Sequence, residues 1–302
     1  MAKSILVTGA TGFIGSRLVN SLIDKGYNVT SLVRKGKEGN SKSNIIYGDI
    51  TDEKIDFKDL EFDCVFHLAS HTPLEKNKKI LEKVNLEGTK KLFEEIKSIT
   101  KSIIYISGLG VYGETGEIVI DENQKYNPNT NFVKIRLEAE KYLKDNSLEQ
   151  KIDFAVAHLG DVYGSDGWFY EMLIKRLKKN TFRIPDGGEY YKSFVHVDDA
   201  VGSMIAILEK KSFGKSFIIA DSMPVRFKEF SNFTADQISS KHPGGVPIFL
   251  AKIVLGSDLI KLLTTPIKVS NKKILEIYDF KYSNYKDGIK QVISELKLKN
   301  KI

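Results

Sequence analysis

Short apolar runs alternate with longer amphipathic segments through the first two thirds of the chain. The apolar runs have the length and composition of buried strands: 4–7, 29–33, 44–47, 64–68, 102–106 and 154–159. Apolar residues recur at helical spacing in the other segments: 13–25, 80–96, 132–143 and 199–209. Strands alternating with amphipathic helices predict an α/β fold, a doubly wound parallel sheet of the Rossmann type.

A glycine-rich turn follows the first predicted strand and opens the first predicted helix. It reads Thr8-Gly9-Ala10-Thr11-Gly12-Phe13-Ile14-Gly15. Gly9 suits a tight turn, Gly12 lets the backbone approach a pyrophosphate, and Gly15 lets the helix pack close to the strand. Because the strand and the helix are both present, the pattern predicts a dinucleotide site formed by Gly9, Thr11, Gly12, Phe13, Ile14 and Gly15.

The end of the second predicted strand indicates which dinucleotide is bound. NAD sites usually carry an Asp or Glu about 20 residues after the turn, which accepts hydrogen bonds from the ribose hydroxyls. This chain has Arg34 and Lys35 after Val33, and no acid. Both cations can pair with a 2′-phosphate, so the sequence favours NADP, with NAD as the alternative.

The strand–helix alternation loosens near residue 160, where Gly, Pro and aromatic residues become frequent. We therefore expect residues 1–160 to form a dinucleotide-binding domain, to which 193–220 return. Residues 161–192 and 221–302 are predicted to form a smaller, substrate-side domain.

Several further motifs carry a resemblance to a known family. They are Gly48-Asp49-Ile50-Thr51-Asp52, His67-Leu68-Ala69-Ser70, Val84-Asn85-Leu86-Glu87-Gly88-Thr89, Val111-Tyr112-Gly113, Asp161-Val162-Tyr163-Gly164 and Phe194-Val195-His196-Val197-Asp198-Asp199. With the glycine turn, they resemble the NAD-dependent epimerase/dehydratase family, an extended branch of the short-chain dehydrogenase/reductase superfamily. The resemblance implies cofactor contacts from Asp49, Ile50, Leu68, Ala69 and Ser70. It also implies a homodimer that pairs through the helices at 80–96 and 132–143.

The same resemblance exposes three departures at the positions that carry the family's chemistry. The family uses a Tyr and a Lys four residues later, with a Ser nearby, so that a phenol exchanges a proton while hydride passes to or from nicotinamide. The matching positions here hold Phe132, Arg136 and Gly108. Phe132 has no proton to give and Gly108 no hydroxyl. Arg136 can clamp ribose hydroxyls but cannot relay a proton.

Other side chains are candidates for the missing proton donor. Ser107 adjoins Gly108, Tyr112 and Tyr163 lie in the two Val-Tyr-Gly motifs, and His158 is of a type that titrates near neutrality. Each also has a structural explanation, because such tyrosines usually pack in the family and a lone His at a strand end is usually hydrogen-bonded.

The later motifs contain the candidate substrate contacts and the one cluster with metal-ligand residue types. Asp166, Trp168 and Tyr170 are the predicted substrate contacts, since aromatic rings can stack on a base or cover a sugar. The spacing of His196, Asp198 and Asp199 fits a helix start at least as well as a metal site, and no metal site is predicted.

Charge and cysteine content narrow the classes of partner. The 46 basic residues exceed the 39 acidic ones, for a net charge of +7, yet only six are Arg. Nucleic-acid readout favours Arg, so this Lys-rich composition favours a solvated surface over a nucleic-acid-binding patch, and nucleic-acid binding is the least favoured of the three function classes. The single Cys64 suits a reducing cytoplasm. The apolar run at 246–256 is too short to span a membrane, and no membrane partner is predicted.

The sequence therefore predicts an NAD(P)-binding oxidoreductase or epimerase-like enzyme with a non-standard catalytic site. By the resemblance, its substrate is a nucleotide sugar or another small carbonyl or hydroxyl compound. The alternative is a non-catalytic dinucleotide-binding sensor or structural subunit.

Overall fold

A computed structural model describes residues 2–302, and its central feature is a parallel β-sheet. Seven strands within those residues form the sheet: β1 (Ser4–Thr8), β2 (Asn28–Val33), β3 (Asn44–Tyr47), β4 (Cys64–His67), β5 (Ser102–Gly108), β6 (Asp153–Leu159) and β7 (Ser216–Ile219). Their order is β7-β6-β5-β4-β1-β2-β3, and β1 lies parallel to both β2 and β4. The predicted α/β class and Rossmann-type sheet are confirmed.

Four main helices connect these strands. They are α1 (Phe13–Asp24), α2 (residues 78–96), α3 (Asn131–Glu149) and α4 (Val197–Glu209). α2 comprises the α-helical Lys78–Leu81, the π-helical Glu82–Gly88 and the α-helical Thr89–Ile96. α1 buries Gly15, Leu18, Val19 and Leu22, the i, i+3, i+4, i+7 spacing of one helical face. α3 extends to Glu149, six residues beyond the predicted end at 143.

The chain divides into two compact units. The first comprises residues 1–107, 131–158 and 201–217, and the second comprises 108–130, 159–200 and 218–302. The assignment of residues 161–192 and 221–302 to substrate binding stays a prediction. Within residues 2–302, no helix has both the length and the apolar character needed to cross a membrane.

The second unit is built on four helices and several short elements. The helices are α5 (Phe227–Gln237), α6 (Ile248–Leu255), α7 (Ser257–Thr264) and α8 (Tyr285–Leu298). The short helices are Leu109–Tyr112, Phe169–Ile174, Lys175–Lys178, Asp186–Gly188 and Lys272–Leu275. The short strands are Val119–Ile120, Asp161–Tyr163, Arg183–Pro185, Tyr191–Lys192, Phe194–His196, Val225–Arg226, Gly244–Val246 and Lys268–Val269. An aromatic core that includes Tyr163, Phe169, Phe194 and Phe230 packs this unit.

Candidate functional site

The turn after β1 has no room for side chains at two of its glycines. Gly9 has φ +68°, and a Cβ there would lie 2.9 Å from the backbone nitrogen of Ala69. A Cβ on Gly15 would overlap the carbonyl oxygen of Gly9. The Gly12 N–H donates to the same oxygen at 2.9 Å and closes the turn. The turn is therefore closely packed at Gly9 and Gly15, while Thr11 and Gly12 are exposed.

Helix α1 begins directly after this turn with an uncompensated positive end. Gly12 occupies the N-cap position, and in the described chain no side chain caps the helix and no acid lies in its first turn. The first N–H groups of a helix lack intrahelical partners, and the helix dipole is positive there. The turn and the helix start thus fit an anion such as a pyrophosphate.

A buried hydrogen-bond chain fixes the strand ends beneath the turn. Thr8 Oγ1 accepts from the N–H groups of Leu68 and Ala69 at 3.2 and 3.1 Å. Its own hydrogen is therefore directed to His67 Nδ1, 2.7 Å away. The ends of β1 and β4 are joined by this contact, and Ala69 is held against Gly9.

The hydrogen bonds continue from His67 into α2. Thr89 Oγ1 donates to the carbonyl oxygen of Asn85 at 2.9 Å, so it accepts from His67 Nε2, also at 2.9 Å. His67 is therefore neutral, with its proton on Nε2. Burial, and secondarily the charge of Arg136, lowers the pKa of His67 to about 3. His67 belongs to the motif His67-Leu68-Ala69-Ser70, but the sequence alone did not indicate that it is a site residue. The signal that could have found it is a polar side chain inside the apolar run at 64–68.

Asn85 holds the loop that follows β4. It lies in the π-helical part of α2 and is buried. Its Oδ1 accepts from the His71 N–H at 2.7 Å, and its Nδ2 donates to the His71 carbonyl oxygen at 3.2 Å. The path of Leu68, Ala69 and Ser70, predicted to flank a cofactor, is thus fixed at both ends.

The residues predicted to select the cofactor lie at the ends of β2 and β3. Arg34 and Lys35 follow β2 and are exposed, and neither forms an ion pair within residues 2–302. Asp49 Oδ1 accepts from the N–H and the hydroxyl of Thr51 at 2.9 and 2.8 Å. Ile50 is buried against Gly88, where a Cβ would lie 2.9 Å from it.

Arg136 and Ser107 are the polar groups at the end of β5 in the first unit. The Arg136 guanidinium donates to the carbonyl oxygen of Ile106 and lies 5.2 Å from the centre of the Tyr105 ring. It also lies 6.0 Å from the ring of Phe132. Ser107 Oγ is buried and has no hydrogen-bond partner among the described residues. A free hydroxyl thus lies next to the position where the family has its Ser.

Gly108 leaves space for a side chain. Its backbone is extended, with φ −146° and ψ 161°, a conformation that any residue adopts. The nearest atom to a Cβ there would be the carbonyl oxygen of Leu159, at 3.7 Å. A serine at this position would therefore fit without strain.

The other three proton-donor candidates are buried among structural partners. His158 is fully buried, with Nε2 3.1 Å from Glu140 Oε2. Tyr112 packs edge-on against Tyr126. Tyr163 lies in the aromatic core of the second unit with its hydroxyl directed at Gly288, and burial raises its pKa well above the usual value. Their catalytic assignment stays a prediction.

The three predicted substrate contacts also have partners within the second unit. Trp168 Nε1 donates to the carbonyl oxygen of Val162 at 2.7 Å. Asp166 forms an ion pair of 2.7 Å with Lys301, whose carbonyl oxygen accepts from the Tyr170 hydroxyl at 3.4 Å. Their role in substrate binding likewise stays a prediction.

The late motif around His196 is organised by hydrogen bonds. His196 Nδ1 accepts from the Asp198 N–H at 3.2 Å, and its Nε2 lies 3.0 Å from Gln291 Oε1. Asp199 accepts from the N–H groups of Lys281 and Tyr282. Within residues 2–302, no group of three His, Cys, Asp or Glu residues is arranged to hold a metal ion.

Comparison with known proteins identifies the family. The family model described as "NAD dependent epimerase/dehydratase family" matches residues 5–220. The chain belongs to the NAD-dependent epimerase/dehydratase family. The "Putative UDP-glucose 4-epimerase" of Methanocaldococcus jannaschii is 31% identical over 228 residues, covering 69% of this chain and 74% of that protein. An epimerase family protein of Staphylococcus aureus is 24% identical and covers 97% of this chain and 100% of its own. The predicted family is therefore confirmed.

Solved structures with the same fold carry a cofactor or a nucleotide sugar. A human epimerase family protein with NADPH superimposes with a TM-score of 0.83 at 19% identity, covering 97% of this chain and 100% of its own. A UDP-glucose 4-epimerase of Thermotoga maritima, with UDP-glucose, gives 0.82 at 22% identity, covering 98% and 99%. At these identities the likeness establishes the fold.

Proposed function

We propose that the chain binds a nicotinamide dinucleotide at residues 9–15 and acts as an oxidoreductase or epimerase-like enzyme. The observation that carries the proposal is the combination of a turn that excludes side chains at Gly9 and Gly15 with an uncapped helix start. Side chains at Gly9 and Gly15 are excluded, while the N-terminus of α1 offers N–H groups to an anion. A turn without a ligand would not need this helix end to be left open.

The preferred cofactor in this proposal is NADP. Arg34 and Lys35 are exposed at the end of β2, where a 2′-phosphate would lie, and no acid stands there to accept from ribose hydroxyls. Asp49 and Ile50 would contact the adenine, and Leu68, Ala69 and Ser70 the middle of the cofactor. The NADPH of the human relative supports this choice.

The chemistry proposed for the chain's own residues differs from the family pattern. Hydride transfer is the chemistry that a bound nicotinamide would supply. Arg136 would hold ribose hydroxyls, because its guanidinium is fixed at the end of β5 by Ile106 and Tyr105. The Ser107 hydroxyl, which has no hydrogen-bond partner among residues 2–302, would donate a hydrogen bond to a substrate oxygen. Phe132 and Gly108 contribute neither proton nor hydrogen bond.

The proposed substrate is a small carbonyl or hydroxyl compound, with nucleotide sugars the first class to test. The names of the Methanocaldococcus and Thermotoga relatives support this class. We assign Asp166, Trp168 and Tyr170, and the segments 161–192 and 221–302, to the substrate side. A homodimer through α2 and α3 and a cytoplasmic location complete the proposal.

A non-catalytic, cofactor-binding role is the second candidate. It is favoured by the burial of His158 and Tyr163, which lie in the cores of their units. Together with Phe132 and Gly108, these placements leave few groups able to transfer a proton.

Two measurements separate these functions. Calorimetric titration with NADPH and NADH tests binding, and transfer of deuterium from labelled NADPH to nucleotide sugars, ketones and aldehydes tests chemistry. The triple variant Gly108→Ser, Phe132→Tyr, Arg136→Lys restores the family pattern. If the parent transfers hydride and the triple variant does not, catalysis uses other residues. Cofactor binding without transfer by the parent supports the second candidate, and absence of binding refutes both.

A further inference from the structure

Helix α6 exposes a continuous apolar face. Phe249 is 61% exposed, Leu250 43%, Ile253 76% and Val254 71%. These residues stand at i, i+1, i+4 and i+5, so they form one stripe along the helix. Among the described residues of α6, Ala251 alone is buried, on the side turned away from the stripe. Isolated exposed apolar residues are ordinary, but a contiguous face of this kind marks an interaction surface.

Helix α7 anchors this face to the second unit. Gly256, with φ +88°, forms the turn between the two helices. Leu259 and Ile260 of α7 are buried, whereas Leu263 is 37% exposed. The helix pair is therefore held firmly on one side and presents apolar side chains on the other. We call α6 and α7 with this face the apolar hairpin.

Unpaired cations border the apolar hairpin. Lys252 lies on the flank of the α6 stripe, Lys261 lies on α7, and Lys241 precedes the hairpin; all three are exposed. None of the three forms an ion pair within residues 2–302. From 241 to 264, Asp258 is the one acidic residue. An apolar stripe with basic flanks is the pattern of helices that lie in the headgroup region of anionic membranes.

The charges also argue against a second copy of the chain as the partner. A two-fold contact would pair this face with itself and place two basic borders beside each other, each with Asp258 as its one acid. That arrangement would bury apolar area but would leave an excess of positive charge at the contact unneutralised. Anionic headgroups neutralise them while the acyl region takes Phe249 and Ile253.

We propose that the apolar hairpin docks the protein on the surface of a bilayer that contains anionic lipid. Eight residues make α6 about 12 Å long, against a hydrocarbon core of about 30 Å, so the helix lies in the interface. Phe249, Leu250, Ile253 and Val254 enter the headgroup–acyl boundary. Lys252 and Lys261 contact lipid phosphates.

The test is flotation of the full chain with two kinds of vesicle: phosphatidylcholine alone, and phosphatidylcholine mixed with phosphatidylglycerol. We expect binding to the mixed vesicles that weakens as salt is added. The double variant Ile253→Glu, Val254→Glu should reduce binding about tenfold or more. Lys252→Ala with Lys261→Ala should reduce it less and flatten the salt dependence. Circular dichroism and gel filtration of each variant confirm folding, which substitutions at exposed positions should preserve.

The matched control is Leu148→Glu, because Leu148 is 80% exposed on α3 in the first unit. This variant should bind the mixed vesicles like the parent. The proposal is overturned if the parent does not distinguish the two vesicles, or if Leu148→Glu loses binding as fully as the hairpin variant. It is also overturned if light scattering shows a dimer that Ile253→Glu, Val254→Glu dissociates while vesicle binding is absent.

Discussion

Thr8 Oγ1 and His67 Nδ1 lie 2.7 Å apart and join the carboxyl ends of β1 and β4. Thr8 must donate in this contact, because its oxygen already accepts from Leu68 and Ala69. His67 in turn donates from Nε2 to Thr89 Oγ1. The residues beneath the glycine turn therefore have one consistent arrangement of protons, and His67 is neutral in it.

Replacing His67 should weaken both the fold and cofactor binding. His67→Leu leaves the buried Thr8 hydroxyl without an acceptor for its hydrogen and Thr89 Oγ1 without the donor it accepts from, and we expect a loss of about 2 kcal/mol in the free energy of unfolding. His67→Gln retains a donor and an acceptor and should recover part of that loss. Urea unfolding and NADPH titration measure the two effects. The control is His242→Gln, at an exposed position, which should change neither; equal losses in both variants would contradict the network.

His67 should also make stability depend on pH. The folded chain keeps this ring neutral down to about pH 3, while an ordinary histidine takes up a proton near pH 6.5. The unfolded chain therefore binds more protons between these values, and the stabilisation present above pH 6.5 is lost as the pH falls. The slope is up to about 1.4 kcal/mol per pH unit. Urea unfolding from pH 7 to pH 4 should show a flatter dependence in His67→Gln than in the parent, and identical slopes would refute the assignment.

Asp221 should make the free energy of unfolding depend on pH in the opposite direction to His67. Burial, followed by the nearby charge of Asp199, raises its pKa to about 8, against 3.8 for an ordinary aspartate. The folded chain binds the extra proton, so the stabilisation present below about pH 4 is lost as the pH rises toward 8. Asp221→Asn should remove this decline in the free energy of unfolding, and exposed Asp59→Asn should not. Because the effects of His67 and Asp221 oppose each other below pH 6.5, each variant must be compared with the parent at every pH.

Much of the candidate site follows from local sequence, and the rest depends on long-range packing. The turn at residues 9–15 was predictable because glycine takes a φ of +68° without strain at position 9 and leaves room for the close approach at position 15. The hydrogen bond between Thr8 and His67 spans 59 positions and depends on β1 and β4 being neighbours. The spacing of the two residues along the sequence does not predict that β1 and β4 are neighbours in the sheet. Likewise, the burial of His158 against Glu140 depends on how α3 packs on β6.

Crowding at Gly15 gives a test of the turn. Gly15→Ala places a methyl group into the carbonyl oxygen of Gly9, and we expect a loss of about 3 kcal/mol in stability together with loss of NADPH binding. Gly244→Ala is the matched control, since the nearest atom to its Cβ would be 3.9 Å away. Thermal unfolding and calorimetry compare the two variants. A Gly15→Ala protein as stable as Gly244→Ala would contradict the close helix–turn contact.

Arg34 and Lys35 provide the decisive test of cofactor choice. A bound 2′-phosphate would gain charge-assisted hydrogen bonds from both side chains, each contributing about 1.5–3 kcal/mol. Arg34→Ala with Lys35→Ala should therefore weaken NADPH binding at least about tenfold and leave NADH binding unchanged. Both side chains are exposed, so the free energy of unfolding should stay constant. The control is Lys37→Ala, a neighbouring exposed lysine, which should affect neither cofactor. Equal weakening of both cofactors by the double variant would assign Arg34 and Lys35 a general electrostatic role, and unchanged binding of both would exclude them from the site.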